Sequence, residues 1–171
     1  MPGVLEMTRI RRWGQADQMV EASRLSTLIL GVRVASVYRN TDQTINASTM
    51  TAISFSHEHI DTADMWSSAA PTRLVVPEDG VYIALGGWSM KDSATDNKRM
   101  IILFRIDGTT YRGGGEQSPA GTSLTLVSGH MPPIWLTAGQ YVEVIAYHEQ
   151  AAARTLWGGS SYNWGVLYKL V

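Results

Sequence analysis

The chain has 171 residues, which is long enough for one domain with a sizeable hydrophobic core. Its 14 Lys and Arg nearly balance its 15 Asp and Glu, and the net charge of −1 gives no overall field to attract nucleic acid or a membrane. It has no cysteine, which excludes disulfides and thiolate chemistry. No apolar run is long enough to span a bilayer and no signal peptide is recognisable, so we expect the chain to fold in a cytosol.

The composition also indicates a covered surface. Charged residues make up only 17% of the chain, and six Trp and seven Tyr stand against two Phe. Amphipathic aromatic residues are enriched at protein interfaces, and a low charge content suits a surface that another chain or another copy covers. The alternative is that Trp and Tyr fill the core of an all-β domain.

Residues 1–31 are predicted to form a short arm followed by one α-helix. Apolar residues recur every three or four positions over residues 16–30, and Gly31 suits the end of a helix. A helix of this length is not stable alone in water, so it must pack against the rest of the chain, a copy or a partner. We expect this segment to anchor the chain to a partner through basic and apolar side chains, namely Arg9, Arg11, Arg12, Trp13, Leu25, Leu28 and Ile29.

From residue 32 onward the alternation of apolar and polar residues predicts β-strands. Turn signals separate them, among them a tight turn at residues 77–80 and a hairpin turn at Asp107-Gly108. Residues 112–121 contain four Gly and one Pro and are predicted to be a loop. The predicted strands cover residues 32–38, 51–61, 74–76, 81–90, 100–106, 109–111, 124–127, 134–136, 141–149 and 163–171.

The strand over residues 81–90 is the predicted centre of the domain. Val81, Ile83 and Leu85 lie on one face of it, and Tyr82 and Ala84 lie on the other. A strand with apolar residues on both faces belongs inside a sandwich rather than at an edge. The sequence therefore predicts an all-β, antiparallel two-sheet jelly-roll sandwich over residues 32–171, preceded by the short N-terminal arm and one α-helix of residues 1–31.

The order of the strand motifs resembles the complement-globular-head and tumour-necrosis-factor jelly roll over roughly residues 33–171. Gln140 stands where that family usually has Asp, which argues against a family calcium site, and Val166 replaces the usual terminal Phe. The motifs that carry the resemblance are Pro77, Gly80, Val81 and Tyr82; Asp107 and Gly108; Leu124 and Leu126; Leu136, Gly139, Gln140, Tyr141, Val142 and Val144; and Trp164, Gly165, Val166 and Leu167.

The resemblance implies a homotrimer with apolar or aromatic faces buried between its subunits. Similar modules with a short N-terminal helix occur among bacteriophage capsid decoration, head-fibre and tail-tip proteins. The resemblance thus implies a non-enzymatic virion structural protein. It would be a trimeric surface knob of the capsid decoration or head-fibre type, located on the virion surface after folding in the host cytoplasm. Residues 1–31 would anchor it to a capsid, neck or tail protein.

Two other functions remain open at this point. The chain could be a receptor- or glycan-binding module of a phage tail fibre that recognises a host-surface glycan through loops at residues 91–98 and 112–121. It could also be a cupin-like metalloenzyme, because alternation along a strand would point His57, His59 and Asp61 to one side, a spacing that suits zinc or iron. Histidine pairs at strand ends more often face solvent, so we predict no metal, no cofactor and no catalytic residue.

Overall fold

The computed structural model describes residues 32–91, 98–118 and 126–171. The predicted arm and helix of residues 1–31 lie outside these ranges, so both remain predictions. Residues Arg33–Val171 form one compact unit. The described residues form strands, turns and irregular segments, and among them no helix is long and apolar enough to cross a membrane.

Most of the strands belong to one long antiparallel sheet that curls back on itself. The order along the sheet is β3-β10-β7-β8-β9-β6-β12-β1-β4, with β5 also paired to β10, while β2 and β11 pair separately. The strands are β1 (Val34–Tyr38), β2 (Gln43–Ile45), β3 (Thr51–Ala52), β4 (His57–Asp61), β5 (Leu74–Val75), β6 (Gly80–Ser89), β7 (Met100–Ile106), β8 (Thr110–Gln117), β9 (Leu126–Leu136), β10 (Tyr141–His148), β11 (Arg154–Leu156) and β12 (Trp164–Lys169).

The core lies between two halves of this sheet. The β9-β6-β12-β1-β4 half, called here the front sheet, faces the β3-β10-β7-β8 half, and their facing side chains are fully buried. Contact between the halves is direct, because a Cβ added to Gly86 on β6 would lie 3.0 Å from Val144 on β10 and 3.2 Å from Ile102 on β7. Two antiparallel layers around one core form the predicted sandwich.

Strand β6 is an inner strand, as the sequence predicted. It pairs with β9 on one side and with β12 on the other, and its Tyr82, Ala84 and Trp88 are completely buried. The opposite face of β6 is different, because Leu85 is 37% exposed. An inner strand with apolar residues on both faces therefore buries one face and presents the other at the surface.

The segment predicted as one strand over residues 51–61 is two strands in opposite halves. Strand β3 pairs with β10, and β4 pairs with β1 in the front sheet. Between them the chain passes from one half of the sheet to the other, and Ile53 and Phe55 are buried in the core. Alternation alone did not locate the break, because the positions after Ile53 and Phe55 keep the spacing of a single strand although they carry His57, His59 and Asp61.

The predicted loop at residues 112–121 is wrong over its first half, because β8 continues to Gln117. Strands β8 and β9 meet in direct backbone contact, where Gly114 pairs with His130. A Cβ on Gly129 would lie 2.6 Å from the carbonyl carbon of Gly114, and one on Gly115 would collide with the backbone oxygen of Ser128. The glycines are therefore needed for close strand crossing rather than for a flexible loop.

The predicted hairpin at Asp107-Gly108 is confirmed. Asp107 and Gly108 both have positive φ, of 50° and 72°, and Thr109 N–H donates to the Ile106 carbonyl over 3.1 Å. Two consecutive positive φ angles are typical of the turns that join tightly paired strands. Gly80, in contrast, does not use positive φ; a Cβ there would collide with Lys169 and with the Val171 carbonyl.

Acid should weaken the fold through His148. This residue is buried, its Nδ1 accepts from the Gln150 N–H at 3.2 Å, and its Nε2 lies 3.3 Å from the Ile45 carbonyl. Burial lowers the pKa of His148 in the folded chain. Below about pH 6.5 the unfolded chain therefore binds more protons than the folded chain, and the free energy of unfolding falls as the pH drops. We expect His148→Gln to flatten the loss of stability that chemical denaturation measures between about pH 7.5 and 5.

His130→Gln is the matched control for this test, because His130 is exposed. It should keep the pH dependence of the unmodified chain. Equal slopes for the unmodified chain and His148→Gln would contradict the assignment of this acid sensitivity to His148.

Replacing Gln150 by Met should stabilise the fold. Gln150 is 1% exposed, and neither its amide nitrogen nor its amide oxygen has a hydrogen-bond partner among the described residues. A buried amide without partners carries a desolvation cost, so an apolar side chain of similar length should raise the free energy of unfolding by about 1 kcal/mol. Gln140→Met should lower it, because the Gln140 amide bonds Asp107 and the Thr137 N–H. Denaturant unfolding of both variants checks this, and a less stable Gln150→Met would contradict it.

Candidate functional site

The outer face of the front sheet is predominantly apolar. Three rows of side chains cross it from β1 through β12 to β6, and the strand register pairs Ser36 with Val166 and Val166 with Leu85 in the middle row. Alternating residues between these rows point into the core and are fully buried. We call this surface the apolar face; it comprises Val34, Tyr38, Ile60, Ile83, Leu85, Trp164, Val166 and Tyr168.

Two aromatic side chains flatten one end of the apolar face. The Trp164 ring lies on Gly87, where an added Cβ would be 2.7 Å from the indole nitrogen. Tyr38 stacks on His59 with ring centroids 4.3 Å apart and on His57 at 5.2 Å. The glycine gives the indole room to lie against the backbone, so the aromatic rings extend the apolar surface instead of projecting from it.

Charged residues gather at the other end of the front sheet, where β12 ends and β6 begins. Glu78 pairs with Lys169 at 3.0 Å and with Arg33 at 3.2 Å. The hydrogen bond from Lys169 lowers the pKa of the Glu78 carboxyl below its usual value, so the group stays ionised at neutral pH. Lys169 pairs with the buried Tyr82, whose hydroxyl donates to the Glu78 carbonyl, so this charged group closes the end of the core rather than bordering the apolar face.

The residues of the metal hypothesis do not share one side of β4. The register with β1 shifts between Ser36 and Val37, so His57 pairs with Tyr38 on the outer face while Asp61 pairs with the buried Ala35. A β-bulge of this kind reverses the alternation that the sequence pattern assumed.

The carboxylate of Asp61 already has hydrogen-bond partners. Its carboxylate accepts N–H groups from Ala63, Met65 and Trp66 at 2.8–3.1 Å and so shapes the following turn. His130 lies away from β4, on β9 opposite Leu85. Over the ranges 32–91, 98–118 and 126–171, no three His, Asp or Glu side chains form a group that could hold a metal ion.

The residues predicted to anchor the chain lie outside the described residues. Arg9, Arg11, Arg12, Trp13, Leu25, Leu28 and Ile29 all precede residue 32, so their anchoring role remains a prediction.

The sequence predicted a covered surface from composition but did not locate it. Which face of a strand lies in the core depends on the partner sheet, and that information is absent from local alternation.

A concave site, separate from the apolar face, opens between β8 and β9. It is a cleft of about 430 Å³ beside the β7–β8 turn, and its lining includes Arg112, Trp135 and Gln140. Trp135 is 64% exposed, and sequence analysis did not single it out. Arg112 falls within the segment 112–121 that was considered for ligand binding, although it lies on a strand and not in a loop.

Comparison with known proteins identifies the fold. The sequence matches no protein-family model and no curated protein. The structure is similar to the globular domain of zebrafish complement 1qA protein, with a TM-score of 0.59 at 15% identity over 81% of this chain and 97% of that one. It is also similar to the Eiger TNF of S. frugiperda and to murine APRIL at pH 5.0. Their TM-scores are 0.60 and 0.63 at 13% identity, and they cover 82% and 81% of this chain and 93% and 99% of their own.

The fold is the complement/TNF jelly roll. At identities of 13–15% the likeness shows the fold alone. It therefore confirms the fold that the order of the strand motifs indicated. The complement/TNF jelly roll of this chain therefore combines the apolar face on its front sheet with the cleft beside β9.

Proposed function

We propose that the chain is a non-enzymatic structural module that assembles as a homotrimer through its apolar face and forms a surface knob on a virion. The apolar face carries the proposal. Its middle row presents Ser36, Val166 and Leu85 without a charged residue, and Leu85 is 37% exposed in the single chain. A contiguous apolar surface of this kind marks an interaction site in a protein that must stay dispersed in water.

The composition of the face suits a contact between copies of the chain. Trp and Tyr supply large contact areas with little rotamer entropy to lose, and here Trp164 and Tyr38 are already held flat by Gly87 and the β4 histidines. The family that the sequence resembles forms homotrimers around such faces, which supports three copies.

The carboxylates of the domain support a structural role and not a catalytic one. Asp107 accepts from the Gln140 amide at 2.7 Å and from the Tyr141 N–H at 3.0 Å. Glu143 is buried and pairs with Arg105 at 2.7 Å. Carboxylates held in this way stabilise turns and strand pairs, whereas a general acid or base needs access to a substrate.

The virion assignment rests on the resemblance to small phage modules and on the composition of residues 1–31. Three arginines and a tryptophan precede an amphipathic helical pattern, which suits attachment to a larger assembly. We propose a capsid, neck or tail protein as the partner and a position on the virion surface.

A charge in the middle of the apolar face should dissociate the trimer. We expect light scattering of the full chain to give three times its 18.8 kDa mass, and Val166→Lys to give the monomer mass, because three buried lysines would meet without counter-charges. Met50→Lys, at an exposed apolar residue before β3, is the control and should stay trimeric. Near-UV circular dichroism checks that both variants fold. A monomeric unmodified chain, or a trimeric Val166→Lys, would contradict the proposal.

Removal of residues 1–31 should separate assembly from attachment. If those residues anchor the knob, the chain of residues 32–171 should remain trimeric but should no longer sediment with particles of the virus whose genome encodes it. The full chain should sediment with them. Full attachment by the shortened chain would place the anchor in the jelly roll and refute the proposed role of the arm.

A further inference from the structure

The cleft lies next to two consecutive prolines of β9. The strands pair at Gly114 and His130, and the next two residues after Met131 are Pro132 and Pro133, which have no N–H to donate. A register shift in β6 between Tyr82 and Ala84 accommodates the same prolines on the other side of β9. The close approach of the two strands continues to Pro132, since a Cβ on Gly113 would lie 2.9 Å from its Cδ. Past this point the two strands line the cleft, β8 with Thr110 and Arg112 and β9 with Ile134, Trp135 and Leu136.

The cleft has an apolar floor and a polar rim. The floor is formed by the apolar side chains of Ile106, Ile134 and Leu136. The rim is formed by Asp107, Thr109, Thr110, Arg112, Trp135 and Gln140. Its volume of about 430 Å³ falls at the lower end of the range for small-molecule sites, which suits a ligand of one to three rings.

Trp135 is the most exposed aromatic side chain of the described residues, at 64%. Alternation along β9 buries Leu136 and turns the Trp135 indole outward. The indole N–H of Trp135 donates to no acceptor within residues 32–91, 98–118 and 126–171, unlike those of Trp66 and Trp88. Exposing an indole to water is costly, and its flat face is suited to stacking on a ring of a ligand.

Arg112 provides a positive charge that no carboxylate of the described chain neutralises. Its guanidinium donates to the Tyr111 carbonyl at 3.2 Å. The nearby Asp107 is already engaged by Gln140 and Tyr141. Three other arginines of the described residues do pair with a carboxylate within 3.2 Å, namely Arg33 with Glu78, Arg99 with Glu116 and Arg105 with Glu143. Arg112 can therefore offer a planar pair of donors to a carboxylate of a ligand.

We propose that this cleft binds an acidic saccharide, with Trp135 stacked on a pyranose ring and Arg112 bound to its carboxylate. The hydroxyls of Thr109 and Thr110 are placed to exchange hydrogen bonds with sugar hydroxyls. One cation suits a single carboxylate, whereas a phosphate dianion calls for a cluster of basic groups, and the shallow polar rim does not suit an apolar peptide. The shared ligand chemistry is a sugar carboxylate, as in uronic or sialic acids.

The test is a titration of the full chain with two acidic probes, a galacturonic acid trisaccharide and sialyllactose, and with lactose as the neutral probe. Calorimetry and tryptophan fluorescence should report binding of at least one acidic probe, with lactose bound about tenfold or more weakly because it lacks the carboxylate. The acidic probe that binds more tightly identifies a uronate or a sialate as the source of the carboxylate.

Variants of the cleft locate the binding. Arg112→Gln should weaken the acidic probe by about tenfold or more and leave lactose unchanged, since only the charge-assisted bond is removed. Trp135→Ala should weaken both probes, and Trp135→Phe should restore part of the affinity through its smaller ring. Arg99→Gln and Leu126→Ala are matched controls, because Arg99 pairs with Glu116 and Leu126 is exposed at the opposite end of β9. Both should bind as the unmodified chain does.

Three outcomes would overturn the proposal. The first is no binding of either acidic probe at millimolar concentration, and the second is equal binding by Arg112→Gln and the unmodified chain. The third is binding of a phosphotyrosine peptide that depends on Arg112 when neither saccharide binds. The cleft uses no residue of the apolar face, so a monomeric chain that binds the acidic probe would refute the homotrimer and leave this proposal standing.

Discussion

The fold depends on one close approach between two strand backbones. Strand β8 can cross β9 only because Gly114 and Gly115 meet Gly129 with no side chain between them. A Cβ at this crossing would push the strands apart and separate the two halves of the sheet, which enclose the core of Ile102, Val144 and Trp88. The glycines thus replace side-chain packing with backbone contact at the point where a single sheet curls into a sandwich.

The same region of β9 determines where the surface can bind a ligand. Immediately after the close approach come Pro132 and Pro133, which have no backbone N–H to donate. The cleft follows next along the two strands, lined by Trp135 of β9 and Arg112 of β8. The contact that closes the core and the surface cleft therefore lie next to each other along β9.

The front sheet has one buried and one accessible apolar face, which creates a second constraint. Its inner face is fixed by contact with β7 and β10, whereas its outer face carries Trp164, Val166 and Leu85 at the surface. Such a face is stable in water only if it is covered by another chain or kept small, because each exposed apolar side chain forfeits the free energy of burial. Together with the low charge of the chain, this supports assembly of several copies.

The sequence by itself determined the fold class, the Asp107-Gly108 hairpin and the inner position of β6, because these depend on alternation and on local turn chemistry. Only the tertiary structure decided that the glycines of residues 112–121 belong to a strand, that a bulge separates His57 from Asp61, and that Trp135 lines a cleft. The physical reason is that these features depend on which backbone lies opposite each residue. Strand register is fixed by contacts between distant parts of the chain, and periodicity within one strand carries no record of it.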